Sequence, residues 1–249
     1  DDVSEKNKGA IRREKLGSIE FKDTTYRYPE ADLDTLRSIN LSVNEGEKVA
    51  ILGRNGSGKS TLMKLASGLF KASDGLVMYD GVDIKQLHTD DLSKSIGIVL
   101  QDVQLFSGSI RENITMGRED INQDDLINAG KLSGLDDFVS KIPGGYDLQL
   151  SDGGKGLSGG QRQSIALARA IVHKPTHFIL DEPTSAMDMN AENIFISQMG
   201  SIMQDSTMLI VTHRMPLLNL VDRIIVMNEG QIVEDGPKEE IINKLNQPR

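Results

Sequence analysis

The 249-residue chain has 38% hydrophobic and 26% charged residues, with Gly 24 in number, which excludes a fibrous or low-complexity protein. Its net charge of −9 disfavours a general nucleic-acid binder or a surface for anionic lipid. With Cys 0, a disulfide framework, a thiolate metal site and cysteine catalysis are all excluded. No run approaches the ~18 apolar residues of a membrane-spanning helix; stretches such as Met208–Val211 and Ile224–Met227 stop at polar residues.

In chain order, Asp1 to Gly17 is highly charged, lacks hydrophobic periodicity and reads as a linker or frayed terminus. From Ser18 to Val43, apolar positions alternate around Ile19, Phe21, Tyr26 and Tyr28, then Ile39, Leu41 and Val43. They predict antiparallel strands joined through the turn at Pro29–Asp34. Lys48–Leu52 is a short apolar run leading into a glycine loop, with helical spacing from Ser60. Ile96–Leu100, His177–Leu180 and Met208–Val211 read as further buried strands. Ile110 to Val172 has helical spacing broken at Pro143-Gly144-Gly145 and between Gly153 and Gly160, which predicts a helical subdomain inserted between core strands. Arg223–Met227 and Gln231–Glu234 flank Asn228-Glu229-Gly230 as a hairpin, followed by a short helix. Strands alternating with helices predict an α/β core with a largely parallel sheet.

Gly53-Arg54-Asn55-Gly56-Ser57-Gly58-Lys59-Ser60-Thr61 fits the phosphate-loop pattern. Glycines let backbone N–H groups approach phosphate oxygens, and the following helix aims its positive end at the anion. Lys59 would bridge the β- and γ-phosphates and the Ser60 hydroxyl would ligate Mg²⁺. The alternative is a plain glycine turn, but strand, loop and helix come in the order that phosphate binding requires. A dinucleotide loop is not matched, because Thr61 stands where the third glycine would be.

Phe178–Glu182 adds an apolar strand ending in two carboxylates. Asp181 is suited to holding Mg²⁺ through water, and Glu182 to polarising an attacking water; taken alone, the pair would be solvated carboxylates at a loop entrance. His213 ends another strand, where a neutral imidazole can hydrogen-bond a γ-phosphate. His88, His173 and His177 read as surface or structural. Leu157-Ser158-Gly159-Gly160-Gln161 precedes the predicted helix Arg162–Val172. By itself it is a Ser-capped helix, yet it is also a second place for phosphate at a helix N-terminus. One phosphate does not easily reach two such ends of one chain, whereas two chains arranged head to tail would share it.

Together these motifs resemble the nucleotide-binding domain of an ATP-binding cassette (ABC) transporter, from about Ser18 to Leu245. Gln101 matches the family's glutamine loop, Leu157–Gln161 its signature, Leu180-Asp181-Glu182-Pro183 its carboxylate strand, Ser185–Asp188 the loop after it, and His213 its switch. Tyr28 matches the aromatic that stacks on adenine; Tyr26 is the alternative. The resemblance implies a RecA-like P-loop NTPase core, an N-terminal antiparallel β-subdomain and an inserted α-helical signature subdomain over about 102–172. It implies ATP and Mg²⁺ as ligands, with Gln101 near the metal and facing the transmembrane partner. It further implies an ATP-dependent head-to-tail homodimer in which Ser158, Gly159 and Gly160 act in trans and Asp188 lies across the interface.

Ile19-Glu20-Phe21, Leu105–Ile114 and Gly159–Gln163 resemble the exporter branch. Gly53-Arg54, Ala186-Met187-Asp188 and Gly144–Asp147 are most similar to bacterial type I protein-secretion exporters of repeat-containing toxins and adhesins. Asp152 stands where exporters commonly have Glu, and Met187 where Leu is commoner; neither position touches phosphate in the family. The resemblance makes Asp1–Gly17 the tail of a connection from a transmembrane domain and residues 18–249 the ATPase. It puts the domain on the cytoplasmic face of the inner membrane, with a periplasmic adaptor and an outer-membrane channel in the full system. A lipid or multidrug exporter shares these motifs and is the alternative. A soluble ABC ATPase usually carries a coiled-coil insertion or a second cassette, and neither is in the sequence.

Overall fold

The computed structural model describes residue 7 and residues 9–247. Strands β1 (Ile19–Tyr26) and β2 (Leu36–Val43) pair antiparallel, as their alternation predicts. After β3 (Lys48–Gly53), β4 (Asp74–Tyr79) joins the other edge of β1 and pairs with β5 (Val82–Asp83), giving the order β2-β1-β4-β5. This β4–β5 half of the subdomain is not predicted by the sequence pattern.

The core sheet has the order β12-β11-β3-β10-β9-β6. Strands β6 (Ile96–Val99), β9 (His177–Asp181), β10 (Thr207–Val211), β3 and β11 (Arg223–Asn228) run parallel to their neighbours. The antiparallel β12 (Gln231–Pro237) closes one edge. Every residue of β9 and β10 is buried, which explains why they read as continuous apolar runs and not as alternating ones. Parallel strands align their C-terminal ends, where a site is expected in an open α/β sheet. Helix α1 (Lys59–Ala66) follows β3, starting one residue before the expected Ser60.

Helix α2 (Thr89–Ser95) precedes β6, and its Leu92 packs against the core shared with the antiparallel sheet; the inserted segment follows β6. A short ladder of β7 (Gly108–Ser109) and β8 (Gln149–Leu150) interrupts the expected all-helical stretch. Around it lie α3 (Ile110–Thr115), α4 (Gln123–Leu132), α5 (Asp136–Val139) and α6 (Gly159–Ile171). The helix α6 joins two cores. Ile165, Ala168 and Val172 pack into the subdomain with Ile110, Ile114 and Leu126, while Leu167, Ala170 and Ile171 pack against Phe178 and Leu180 of the sheet. Each such fully buried Leu or Ile is worth about 1.5–3 kcal/mol. Helices α7 (Met189–Ile202) and α8 (Lys238–Asn246) complete the chain.

Of the expected Asp1–Gly17 connection, residues 1–6 and 8 lie outside the described residues. The remainder does not fray. Ile11 bridges to Leu87, Arg12 pairs with Asp91 at 2.8 Å, and Leu16 is buried. His177 is structural, as expected: its Nε2 lies 2.6 Å from the Gly17 carbonyl, and its ring meets Tyr79 edge-on. Among the described residues, no helix is long and apolar enough to cross a membrane.

Candidate nucleotide site

A cleft of about 660 Å³ opens at the C-terminal ends of β3, β9 and β10. Tyr28, Asn55, Gly56, Gly58, Lys59, Ser60, Thr61, Gln101, Asp181, Glu182 and His213 all line it. Residues spread over nearly two hundred positions are thus gathered by the parallel sheet.

The loop that ends β3 is shaped by its glycines. Gly58 caps α1 at φ +98°, and a Cβ there would stand 2.6 Å from Leu36 Cδ2. No side chain caps α1, so its first N–H groups face the cleft as donors. Gly53 is equally confined, since a Cβ would meet the Met227 carbonyl at 2.3 Å. Lys59 donates to the Gly53 and Arg54 carbonyls at 2.8 and 2.9 Å. Burial pulls its pKa below the ordinary lysine value, against the opposing charges of Asp181 and Glu182.

Asp181 ends β9 and is 2% exposed. Burial raises its pKa, offset by a hydrogen bond with Ser60 and the charge of Lys59. Its Oδ1 and the Ser57 hydroxyl are buried without a hydrogen-bond partner. A buried carboxylate oxygen left unpartnered is costly; the Asp181 Oδ1 lines the cleft beside the uncapped helix end and suits a hard cation held next to phosphate. Among the described residues no cluster of three or more His, Cys, Asp or Glu forms a cage of its own.

Glu182 adopts φ +50°, a left-handed backbone costing about 1–2 kcal/mol for a residue with a Cβ. Its N–H donates to the Val211 carbonyl at 2.9 Å, and its carbonyl accepts from Ser185 N–H at 3.1 Å and Gln163 Nε2 at 3.0 Å. At about 0.5–1.5 kcal/mol each, these bonds offset the strain. His213 Nε2 stands 3.5 Å from Glu182 Oε1. Burial raises the Glu182 pKa; the charge and backbone N–H of His213 and the charge of Lys59 pull it down, while Asp181 pushes it up.

The two tyrosines separate cleanly. Tyr26 is 8% exposed and stacks on Phe70 at 5.2 Å. Tyr28 meets both rings edge-on, lines the cleft, and its hydroxyl lies 3.1 Å from Thr61 Oγ1.

Ser158, Gly159, Gly160 and Asp188 do not line this cleft. Ser158 caps α6 in a reciprocal pair with Gln161, accepting from its N–H at 3.2 Å. Asp188 caps α7 through Ala191 N–H at 2.8 Å. A neighbouring cleft of about 360 Å³ shares Gln101 and Ser185 with the first and is lined by Gly159 and Gln163.

Sequence reasoning missed the groups that hold the loop after Glu182. Gln163 on α6 accepts from Ala186 N–H at 3.0 Å as well as donating to Glu182. On the other side Thr184 donates to Glu192 at 2.7 Å, and Arg214 pairs with the same carboxylate oxygen at 3.1 Å. Arg214 also reaches the Met187 carbonyl at 3.3 Å.

Comparison with known proteins agrees with this geometry. The family pattern described as "ABC transporter" matches residues 36–185. The chain is 41% identical over 226 residues to the cyclolysin secretion/processing ATP-binding protein of Bordetella pertussis (strain Tohama I), covering 91% of this chain and 32% of that protein. It is 42% identical over 226 residues to the leukotoxin export ATP-binding protein of Aggregatibacter actinomycetemcomitans, with the same 91% and 32% coverage. It is 42% identical over 230 residues to the leukotoxin translocation ATP-binding protein of Mannheimia glucosida, covering 92% and 32%. The chain therefore spans about a third of the length of these relatives. A bacterial Atm1-family ABC exporter solved with ATP bound superposes with a TM-score of 0.85 at 31% identity, over 93% of this chain and 40% of that one. With its family pattern, its relatives and its fold in agreement, the chain belongs to the ABC transporter family and has the ABC ATPase fold.

Proposed function

We propose that this chain binds and hydrolyses MgATP to drive a bacterial type I exporter of a protein toxin or adhesin. The observation that carries the hydrolytic reading is the convergence of Lys59, Asp181, Glu182 and His213 on one cleft, where the buried Oδ1 of Asp181 has no hydrogen-bond partner. The secretion reading is supported by relatives named for cyclolysin secretion and for leukotoxin export and translocation.

Tyr28 stacks on adenine. Gly53, Asn55, Gly56, Ser57, Gly58 and Thr61 form the phosphate cradle, and Lys59 exchanges its loop carbonyls for β/γ-phosphate oxygens. Ser60, Asp181 and Gln101 would hold Mg²⁺, whose charge offsets that on the transferring phosphoryl group. Glu182 takes a proton from water as the water oxygen bonds to the γ-phosphorus; the bond to the β–γ bridging oxygen breaks, ADP and inorganic phosphate leave, and the carboxyl gives up its proton to phosphate or solvent. His213 orients Glu182 and senses the γ-phosphate. Ser158, Gly159 and Gly160 of a second copy close the site, with Asp188 at the interface. The full protein places this domain at the cytoplasmic face of the inner membrane beside its own transmembrane domain, with a periplasmic adaptor and an outer-membrane channel beyond.

The test mixes two inactive chains. Ser158→Arg blocks closure over the partner's γ-phosphate but leaves its own P-loop intact, and Lys59→Ala does the reverse. A mixed pair has one site with both lesions and one intact site. MgATPase activity should return on mixing if one site turns over alone. Two dead homodimers that form ATP-driven mixed dimers yet regain nothing would sink independent completion of each site in trans.

A further inference from the structure

The signature helix α6 touches its own chain's catalytic loop as well as presenting Ser158. Gln163 lies one turn beyond the cap, is 2% exposed, and spends both ends of its amide on that loop. Nε2 holds the carbonyl of Glu182, the residue in the left-handed conformation, and Oε1 holds Ala186 N–H. The same helix start packs on the loop directly, since a Cβ on Gly159 would stand 3.0 Å from the Ala186 methyl. The conformation of Glu182 is therefore bonded to the position of α6.

We propose that Gln163 is a positioning residue that holds Glu182 of its own chain in register, so that each signature helix serves both nucleotide sites of the dimer. Its N-terminus completes the partner's site through Ser158, and its buried amide sets the carboxylate of its own. Movement of α6 upon closure at one site is thereby transmitted to the base at the other. This rests on the roles given above to Glu182 and Ser158.

Gln163→Met keeps the length and removes both hydrogen bonds. Its kcat should fall at least tenfold, with the KM for ATP and the ATP affinity measured without Mg²⁺ both within about twofold of the unaltered chain. Gln163→Glu, of equal size, keeps only the acceptor for Ala186 and covers the case in which the methionine variant does not fold. An unchanged kcat in a folded variant overturns the proposal.

Mixing then separates positioning of Glu182 from general damage to the helix. Paired with Ser158→Arg, Gln163→Met should recover activity, because the other chain supplies P-loop and Glu182 while Gln163→Met supplies an intact Ser158. Paired with Lys59→Ala it should recover none, because the remaining P-loop carries the misplaced Glu182. The reverse pattern would place the lesion on the signature face. Where the Ser158→Arg and Lys59→Ala pair itself recovers activity, recovery in both Gln163 pairs, or in neither, would also overturn the assignment. The Ser158→Arg and Lys59→Ala pair is the control: if it recovers nothing, independent trans completion fails, and the kcat of the Gln163 variants alone decides whether Glu182 depends on this amide.

Discussion

His213 Nε2 lies 3.5 Å from Glu182 Oε1, joining the residues just beyond the C-terminal ends of the adjacent parallel strands β9 and β10. The pair is partly solvent-facing through the imidazole, while the carboxylate is largely buried. A carboxylate so placed costs desolvation, and the neighbouring histidine reduces that cost.

Glu182→Gln keeps the shape of the side chain and removes its charge. ATP binding should persist, steady-state hydrolysis should fall by at least ~10²-fold, in line with loss of a positioned base, and the ATP-bound dimer should accumulate. Turnover near that of the unaltered chain would remove Glu182 from the reaction.

The acid side of the kcat profile reports the same carboxylate. Because burial raises its pKa, activity should be lost as pH falls through a midpoint above the ordinary glutamate value of about 4.3. His213→Ala removes a charge that lowers this pKa, so the midpoint should move further up, each profile being scaled to its own plateau. A midpoint that stays put or moves down contradicts the pairing.

Asp181 offers a trade between stability and binding. Its folded pKa is raised by burial, so the folded chain holds the proton more tightly than the unfolded one. The penalty is absent below the ordinary aspartate range of about 3.9 and grows as pH rises through the folded value. Asp181→Asn should therefore raise the Tm of the nucleotide-free chain at neutral pH, by about 2–4 °C for each kcal/mol relieved. The gain should vanish in acid, and the Mg²⁺ dependence of ATP binding should be lost. A lower neutral Tm would show that the charge stabilises the empty site.

What the sequence revealed and what it hid follows from locality. The strands β3, β9 and β10 are legible because burial on both faces demands apolar runs, and each ends at a residue of distinct chemistry. The phosphate loop is legible because its bonds are backbone bonds of consecutive residues. By contrast, β4 begins with exposed and half-buried positions and includes the exposed Leu76, so alternation is lost over half its length. The docking of residues 9–17 depends on Asp80, Leu87 and Asp91, far away in sequence. Gln163 left a faint signal: a glutamine in register with Leu167 and Ala170 on an apolar helical stripe. Only the fold shows that its amide meets Glu182.

The last prediction separates two tyrosines that share one sequence motif. Tyr28→Ala removes the ring that lines the cleft, and ATP affinity should fall by about 1–3 kcal/mol, the worth of an aromatic stacked on a base. Tyr28→Phe keeps the ring and loses only the contact with Thr61 Oγ1, so its ATP affinity should stay close to that of the unaltered chain. Tyr26→Ala acts on a different link. Its ring is buried between Tyr28 and Phe70, and truncating a buried aromatic costs about 3–5 kcal/mol of folding stability. Thermal melts and ATP titrations on the three variants should therefore diverge: Tyr26→Ala mainly in Tm, Tyr28→Ala mainly in affinity, Tyr28→Phe in neither. If Tyr28→Phe weakens ATP as much as Tyr28→Ala, the hydroxyl and its bond to Thr61 carry the binding, and stacking on adenine is the wrong account of this residue.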